Sequence, residues 1–354
     1  MEREEKRIMK AAMVTGAKKM EMVDVEKPVA DGKKVIIKST CVGICGSDIH
    51  LWEMGMLPQY TNMIMGLEHA GVVVDPGSRT DLKVGDRVTQ LPLWGPCGEC
   101  VDCMEGRRHL CKNRVLPTGT YAVSPGSYAE YFTSVPSLVR KIPEGMTDAE
   151  AAMIEPASTP YAALKDVGIK KGDKVLVAGG GIIGSFAAQW AKYFGAELVA
   201  MSEVNDFRMK TNNELGYVDI MFDARDPECI KKMMTATGGA GWDYVIECTG
   251  NDAAMQSALM TMKKRGTIVI LGIAVKGYTL PGVLTVAKCA TLKAYLGYSE
   301  SEFDEVMELV AYKKFDVLPQ YTSDCKLSEV ESKFEWLQSP KCTDVKIMIT
   351  DFEN

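Results

Sequence analysis

The stretch Lys174-Val-Leu-Val-Ala-Gly-Gly-Gly-Ile-Ile-Gly184 decides how this chain is read. Val175 to Ala178 is a short β-branched and apolar run suited to a strand buried on both faces. The following Ser185-Phe-Ala-Ala-Gln-Trp-Ala-Lys-Tyr-Phe-Gly195 carries apolar residues at helical spacing. Between them Gly179, Gly181 and Gly184 fall in the order G-x-G-x-x-G, with Ile182 and Ile183 inside the motif. Glycines so placed permit a tight turn, let backbone N–H groups approach a pyrophosphate, and let the helix close on the strand with its N-terminus facing the anion. A plain strand-to-helix turn is the competing reading. The next strand-like run, Glu197-Leu-Val-Ala-Met-Ser202, weighs against it, because it ends at Glu203, about 20 residues past the glycines, where a carboxylate holds a ribose 2′-hydroxyl. A carboxylate there repels a 2′-phosphate, so the expected cofactor is NAD rather than NADP, with Arg208 downstream softening the preference.

Working outward, Trp242-Asp-Tyr-Val-Ile-Glu-Cys-Thr-Gly250 and Gly266-Thr-Ile-Val-Ile-Leu-Gly272 read as further buried strands with helical stretches between them. Such alternation builds a parallel, doubly wound sheet whose cofactor lies over the carboxyl ends of the strands. Thr249, Gly250, Leu271 and Gly272 are therefore expected either to line the cofactor or to be ordinary strand-ending turns. Val306 to Val310 and Leu327 to Leu337 read as surface helices, and Val345 to Thr350 as a closing strand.

At 354 residues the chain is long enough for two domains with separate cores. A net charge of -6 gives no electrostatic footprint for nucleic acid or an anionic membrane, so a small molecule is the expected partner. The longest apolar run, Thr267 to Val275, ends at Lys276, well short of the roughly 18 residues of a membrane span. The start, Met1-Glu-Arg-Glu-Glu-Lys-Arg7, lacks the apolar segment of a secretion signal, which places the protein in the cytoplasm on this reading.

In the first third, Val35 to Cys41, Gly71 to Asp75 and Asp86 to Leu91 are strand-like with Gly and Pro between them, the pattern of an antiparallel barrel. Within it, Gly43-Ile-Cys-Gly-Ser-Asp-Ile-His50 sets a thiol beside a hydroxyl and an imidazole. These groups can bind a metal and pass a proton outward, or be a buried cysteine near a satisfied histidine. Cys97, Cys100, Cys103 and Cys111 follow at spacings that let four thiolates converge on one tetrahedral Zn, closing a structural site with no open position. An iron-sulfur cluster is the weaker alternative, since no second cluster motif is present.

The octapeptide at 43–50, the four-cysteine lobe, Glu155-Pro156 and the glycine-rich loop occur in the order seen in the zinc-containing medium-chain alcohol dehydrogenase family, which the chain resembles from about Met9 to Ile349. Glu155 makes it look most like the sorbitol, threonine and related polyol dehydrogenase branch. The resemblance implies an α/β protein in which a GroES-like β-barrel catalytic domain, residues 1–158 and 298–354, carries the structural zinc lobe at about 95–113. It wraps a doubly wound parallel-sheet Rossmann domain, residues 159–297. It further implies Cys45 as a catalytic zinc ligand and Ser47 with His50 as proton relay. The four cysteines become the structural zinc site and Glu155 a metal-shell carboxylate, against the plainer reading of Glu155 as a helix N-terminal charge. A homo-oligomer, tetramer or dimer, is likewise implied.

The chain departs from the family pattern at Gly66-Leu67-Glu68-His69-Ala70-Gly71, where Leu67 stands at the second zinc ligand. Alternate residues of an extended chain face one side, so His69 is expected to replace it, giving a shell of Cys45, Glu68, His69 and Glu155. A Cys45-Glu68-Glu155 site without histidine, or a vacant site, are the alternatives. Gly297 occupies the place of an arginine usual in the polyol branch, and Leu51 that of a common aromatic, which leaves sorbitol no better than a cyclitol, a sugar derivative or a smaller secondary alcohol. The implied activity is reversible, zinc-dependent hydride transfer between NAD and such an alcohol. A metal-independent NAD(P)-dependent reductase of the superfamily or a non-catalytic NAD-binding paralogue remain alternatives.

Overall fold

The computed structural model describes residues 8–54, 63–92, 96–113 and 126–353; the charged start, residues 1–7, and Gly95 of the expected lobe lie outside them. The chain divides into two compact units, one running to Glu155 and joined by Ser299–Ser339 and Lys346–Asn354, the other formed by Pro156–Tyr298 with Pro340–Val345. The first switch falls three residues before the expected boundary at 158. The short return 340–345 joins the second unit because the Asn205 amide donates to the Cys342 carbonyl at 3.0 Å.

In the second unit six parallel strands run across the sheet as Ile220–Asp223, Leu198–Glu203, Lys174–Ala178, Trp242–Glu247, Met262–Ile270 and Thr291–Ala294. The order reverses between Lys174–Ala178 and Trp242–Glu247, so the crevice used by ligands in doubly wound sheets falls at their carboxyl ends. Val175, Leu176 and Val177 are buried because both sheet faces are covered, which is why the run is continuously apolar. On one face the helix Ile182–Tyr193 buries Phe186 and Trp190 completely, each contributing about 2–3 kcal/mol of transfer free energy. The Trp190 indole N–H finds the Ala157 carbonyl at 2.9 Å, which removes the cost of burying it.

The first unit is mainly antiparallel. Its larger sheet has the order Tyr321–Lys326, Lys346–Asp351, Val35–Gly43, Glu68–Asp75, Arg87–Gln90, Val139–Lys141, with Tyr131–Ser134 also pairing Val35–Gly43. A smaller sheet joins Lys19–Glu26, Ile8–Gly16 and Met63–Ile64. One apolar core gathers Val35, Ile37, Val73, Val88 and Phe132; another packs Trp52, Tyr128 and Phe334 with Ile347 and Ile349 of the closing strand. That closing strand therefore brings the chain's far end beside Val35–Gly43, with Met348 opposite Gly43, while Glu68 lies opposite Gly43 from the other neighbour.

Candidate active site

In the second unit the glycine pattern does the steric work its spacing implies. Gly179 has φ of 100°, in the left-handed region, and a β-carbon there would meet Thr249 Cγ2 at 2.6 Å. A β-carbon on Gly184 would lie 1.8 Å from the Gly179 carbonyl oxygen, so the helix can close on the strand only with glycine at that position. Gly181 is the helix N-cap, and the nearest atom to a β-carbon there is Arg208 Nη1 at 3.9 Å, which leaves backbone room for an anion. The Glu203 carboxylate is buried at the tip of the neighbouring strand. It accepts the Gly180 N–H at 2.6 Å through Oε2, and the Val204 and Asn205 N–H groups at 2.6 and 2.9 Å through Oε1. The acid thus pins the loop on which Ile182 and Ile183 begin the helix.

Thr249, Gly250, Leu271 and Gly272 are brought together around Glu247, a fully buried carboxylate that the sequence reading passed over as part of a strand. Its carboxylate accepts the Thr249 N–H at 2.8 Å, the Gly250 N–H at 3.1 Å and the Tyr278 hydroxyl at 2.5 Å. Its backbone carbonyl accepts the N–H groups of Leu271 and Gly272 at 2.8 and 2.9 Å. One residue therefore holds two strand ends in register beside the glycine loop. The cradle fits a dinucleotide: close backbone, a helix N-terminus and a strand-end acid.

In the first unit the Sγ atoms of Cys97, Cys100, Cys103 and Cys111 all lie within 4.8 Å of one another. Cys97 and Cys103 are 3.9 Å apart, Cys100 and Cys111 3.8 Å, and Cys97 and Cys111 3.5 Å. Zn–S bonds of about 2.3 Å in a tetrahedron set sulfurs about 3.8 Å apart, so the lobe fits zinc. The N–H groups of Glu99 and Cys100 hold the Cys97 thiol down to about 6, a thiolate at neutral pH.

Cys45 precedes the helix Gly46–Met54, which carries Ser47 in its first turn and His50 three residues on, so the two share a helix face. Ser47 Oγ donates to Cys45 Sγ at 3.1 Å. The His50 imidazole is half-buried, with Nδ1 3.9 Å from Glu53. Burial pushes the Cys45 thiol well up; the charges of Glu68, Asp48 and Glu155 add to this and Lys346 opposes it. Glu155 itself sits in the first turn of the helix Ile154–Val167, where a carboxylate also complements the helix dipole.

Two buried polar pairs flank Cys45, neither foreseen from the sequence. Asp48 is fully buried and its Oδ2 accepts the Tyr128 hydroxyl at 2.7 Å; burial, only partly offset by that bond, pushes its carboxyl up to about 7. Lys346 Nζ donates to Glu68 Oε1 and Oε2 at 2.8 and 2.6 Å and to the Ile44 carbonyl at 2.8 Å, with side-chain exposures of only 1% and 0%. Gly43 makes room for this pair, since a β-carbon there would stand 2.1 Å from Glu68 Oε2.

His69 is placed differently from the expectation. The regular strand starts only at Glu68, so Leu67 precedes the extended segment and the two-residue alternation linking 67 to 69 does not apply. Within the strand His69 faces away from Glu68 and packs edge-on to Phe132, ring centroids 4.6 Å apart. Burial pushes its imidazole down to about 3. A folded-state value below that of the unfolded chain means stability is complete above about pH 6.5 and falls as pH drops toward 3. Between pH 6.5 and 5 the loss from this residue is about 2 kcal/mol. Urea unfolding of the wild type and of His69→Leu at pH 7.5 and 5.0 checks this: the variant should lose less by that amount, and equal losses would contradict it.

A zinc-binding dehydrogenase model matches residues 183–312, and an alcohol dehydrogenase GroES-like domain model matches residues 31–144. Sorbitol dehydrogenase of Bacillus subtilis (strain 168) is 32% identical over 75% of this chain and 75% of its own. L-threonine 3-dehydrogenase of Marinomonas sp. (strain MWYL1) is 32% identical over 90% of this chain and 93% of its own. The chain belongs to the zinc-containing medium-chain alcohol dehydrogenase family. The crystal structure of 2R,3R-butanediol dehydrogenase from Bacillus subtilis is similar throughout, with a TM-score of 0.85 and 27% identity, covering 97% of this chain and 99% of that one. As a family member the protein is an NAD(P)-dependent alcohol oxidoreductase. No helix among the described residues is long and apolar enough to cross a membrane.

The family's two metal positions fare differently in this chain. Among the described residues, the lobe cysteines are the only group of three or more His, Cys, Asp or Glu side chains whose ligand atoms all lie within 4.8 Å of one another. Glu68 is committed to Lys346 and His69 to the core around Phe132. Two of the four residues expected at Cys45, Glu68 and His69, therefore do not fit a zinc shell there, which leaves Cys45 and Glu155.

Proposed function

We propose that the protein interconverts a secondary alcohol of a polyol, cyclitol or sugar derivative with the corresponding ketone, using NAD. The observation that carries the cofactor choice is Glu203, a buried carboxylate bonded to the Gly180 N–H at 2.6 Å, where the 2′-phosphate of NADP would meet a negative charge. When bound, the nicotinamide dinucleotide supplies the hydride acceptor and donor. The chain's part is the proton. A substrate hydroxyl set against Ser47 Oγ gives up its proton to Ser47 as the Ser47 hydroxyl, turned from Cys45 Sγ toward the next turn of its helix, passes its own proton to His50, which stands half-exposed beside Glu53 and releases it to water. No step in this route draws on a metal.

Turnover of a polyol and cyclitol panel with each dinucleotide tests the reading. NAD should be preferred at least tenfold in kcat/KM, and Glu203→Ala should narrow the ratio. A tenfold preference for NADP would overturn the assignment. Self-association into a dimer or tetramer belongs to the same proposal and is supported by Val283, Val286 and Leu296, which are 88%, 76% and 62% exposed near the edge strand Thr291–Ala294; the mass in solution checks it.

A further inference from the structure

We infer that the Cys45 pocket is a metal-free site closed by Lys346, and that the chain carries one zinc, in the four-cysteine lobe. An ammonium has three N–H donors, and at Lys346 each has an acceptor within 2.8 Å: the two Glu68 oxygens and the Ile44 carbonyl. Glu68 is thereby neutralised by a cation belonging to the chain. An ion ligated by Glu68 would have to displace that ammonium or sit against its charge in a place without water, which costs several kcal/mol.

Two further positions of the expected shell offer no ligand. Leu67 offers no ligand atom, and the His69 ring lies in the core on the far side of the strand from Glu68. Asp48 supplies an independent observation. Its Oδ2 is taken by Tyr128, while Oδ1, equally buried, has no hydrogen-bond partner among the described residues. Metal-ligating imidazoles ordinarily donate their second ring N–H to a carboxylate, so a buried carboxylate with one oxygen spare is the outer half of such an arrangement without its inner half. Leu67 lies next to this carboxylate's holder: it follows Gly66, where a β-carbon would stand 2.7 Å from the Tyr128 ring. Cys45 and Glu155 are left as ligand-bearing side chains, one short of the three usual at a catalytic zinc, and the Glu68 charge is satisfied within the chain.

The count of metal per chain tests this without reference to turnover, so it can fail while the alcohol oxidoreductase reading stands, and the reverse. The full chain, produced with zinc in the medium and desalted, should contain one zinc, unchanged by Cys45→Ser. Leu67→His should raise the count toward two, and cobalt substituted in that variant should show a thiolate charge-transfer band that disappears in Leu67→His with Cys45→Ser. Two zincs per wild-type chain, one of them lost in Cys45→Ser, would overturn the inference. A Leu67→His protein that folds and still holds one zinc would overturn the assignment of the loss to residue 67. Should that variant not fold, the wild-type and Cys45→Ser counts decide alone.

Discussion

Replacing Lys346 with methionine is expected to cost about 3–5 kcal/mol of folding free energy, because Glu68 would be left as a buried carboxylate with its counter-charge removed. The size of the effect follows from burial: an exposed ion pair would be worth about 1 kcal/mol or less, but this one is closed from water on both sides. Urea unfolding at neutral pH measures it. Removing both charges together, Glu68→Met with Lys346→Met, should recover most of the loss, since a buried pair replaced by apolar groups of similar volume is close to neutral. A single variant within about 1 kcal/mol of the wild type would show that Glu68 finds another partner, and the closed pocket would lose its main support.

Turnover should respond most to Ser47. Ser47→Ala removes the hydroxyl that links substrate to His50, and a positioned proton-transfer group contributes about 10²–10⁴-fold, so kcat should fall at least about 100-fold with the KM for NAD unchanged. Cys45→Ser should change kcat only a few-fold, because a serine there still accepts the Ser47 hydroxyl and Cys45 itself passes no proton in the relay. Steady-state kinetics of the two variants separates the possibilities. Loss of turnover in Cys45→Ser with Ser47→Ala unaffected would reverse the roles of the two side chains.

These expectations rest on parts of the molecule that the sequence discloses unequally. The nucleotide unit is legible because its constraints are local: Gly179 and Gly184 meet steric demands set by residues nearby in the chain or at the next strand end, Gly181 leaves the helix N-terminus open, and Glu203 lies one strand on. The cysteine lobe is legible for the same reason, four ligands falling within fifteen residues. The Cys45 pocket is not. Lys346 meets Glu68 across 278 residues of chain, and the one local sign is a lysine at the head of the apolar strand Lys346–Asp351. Asp48 and Tyr128 are separated by 80 residues and carry no spacing rule. Glu247 could have been suspected as an acid ending a buried strand, in the manner of Glu203.

His69 shows how a sound local rule misleads when its premise is unmet. Alternation relates residues only within one extended segment, and that segment begins at Glu68, one residue too late to include Leu67. His69 therefore does not stand in for Leu67, and the neighbouring Glu68 is paired with Lys346 instead.

The most direct test follows the hydrogen itself. Protein shown to hold one zinc per chain is given NAD and a secondary alcohol deuterated at the carbinol carbon, and the reduced dinucleotide is weighed by mass spectrometry. One deuterium per reduced dinucleotide is the predicted result. No deuterium in the product, or reduction seen only in protein holding a second zinc, would contradict the account.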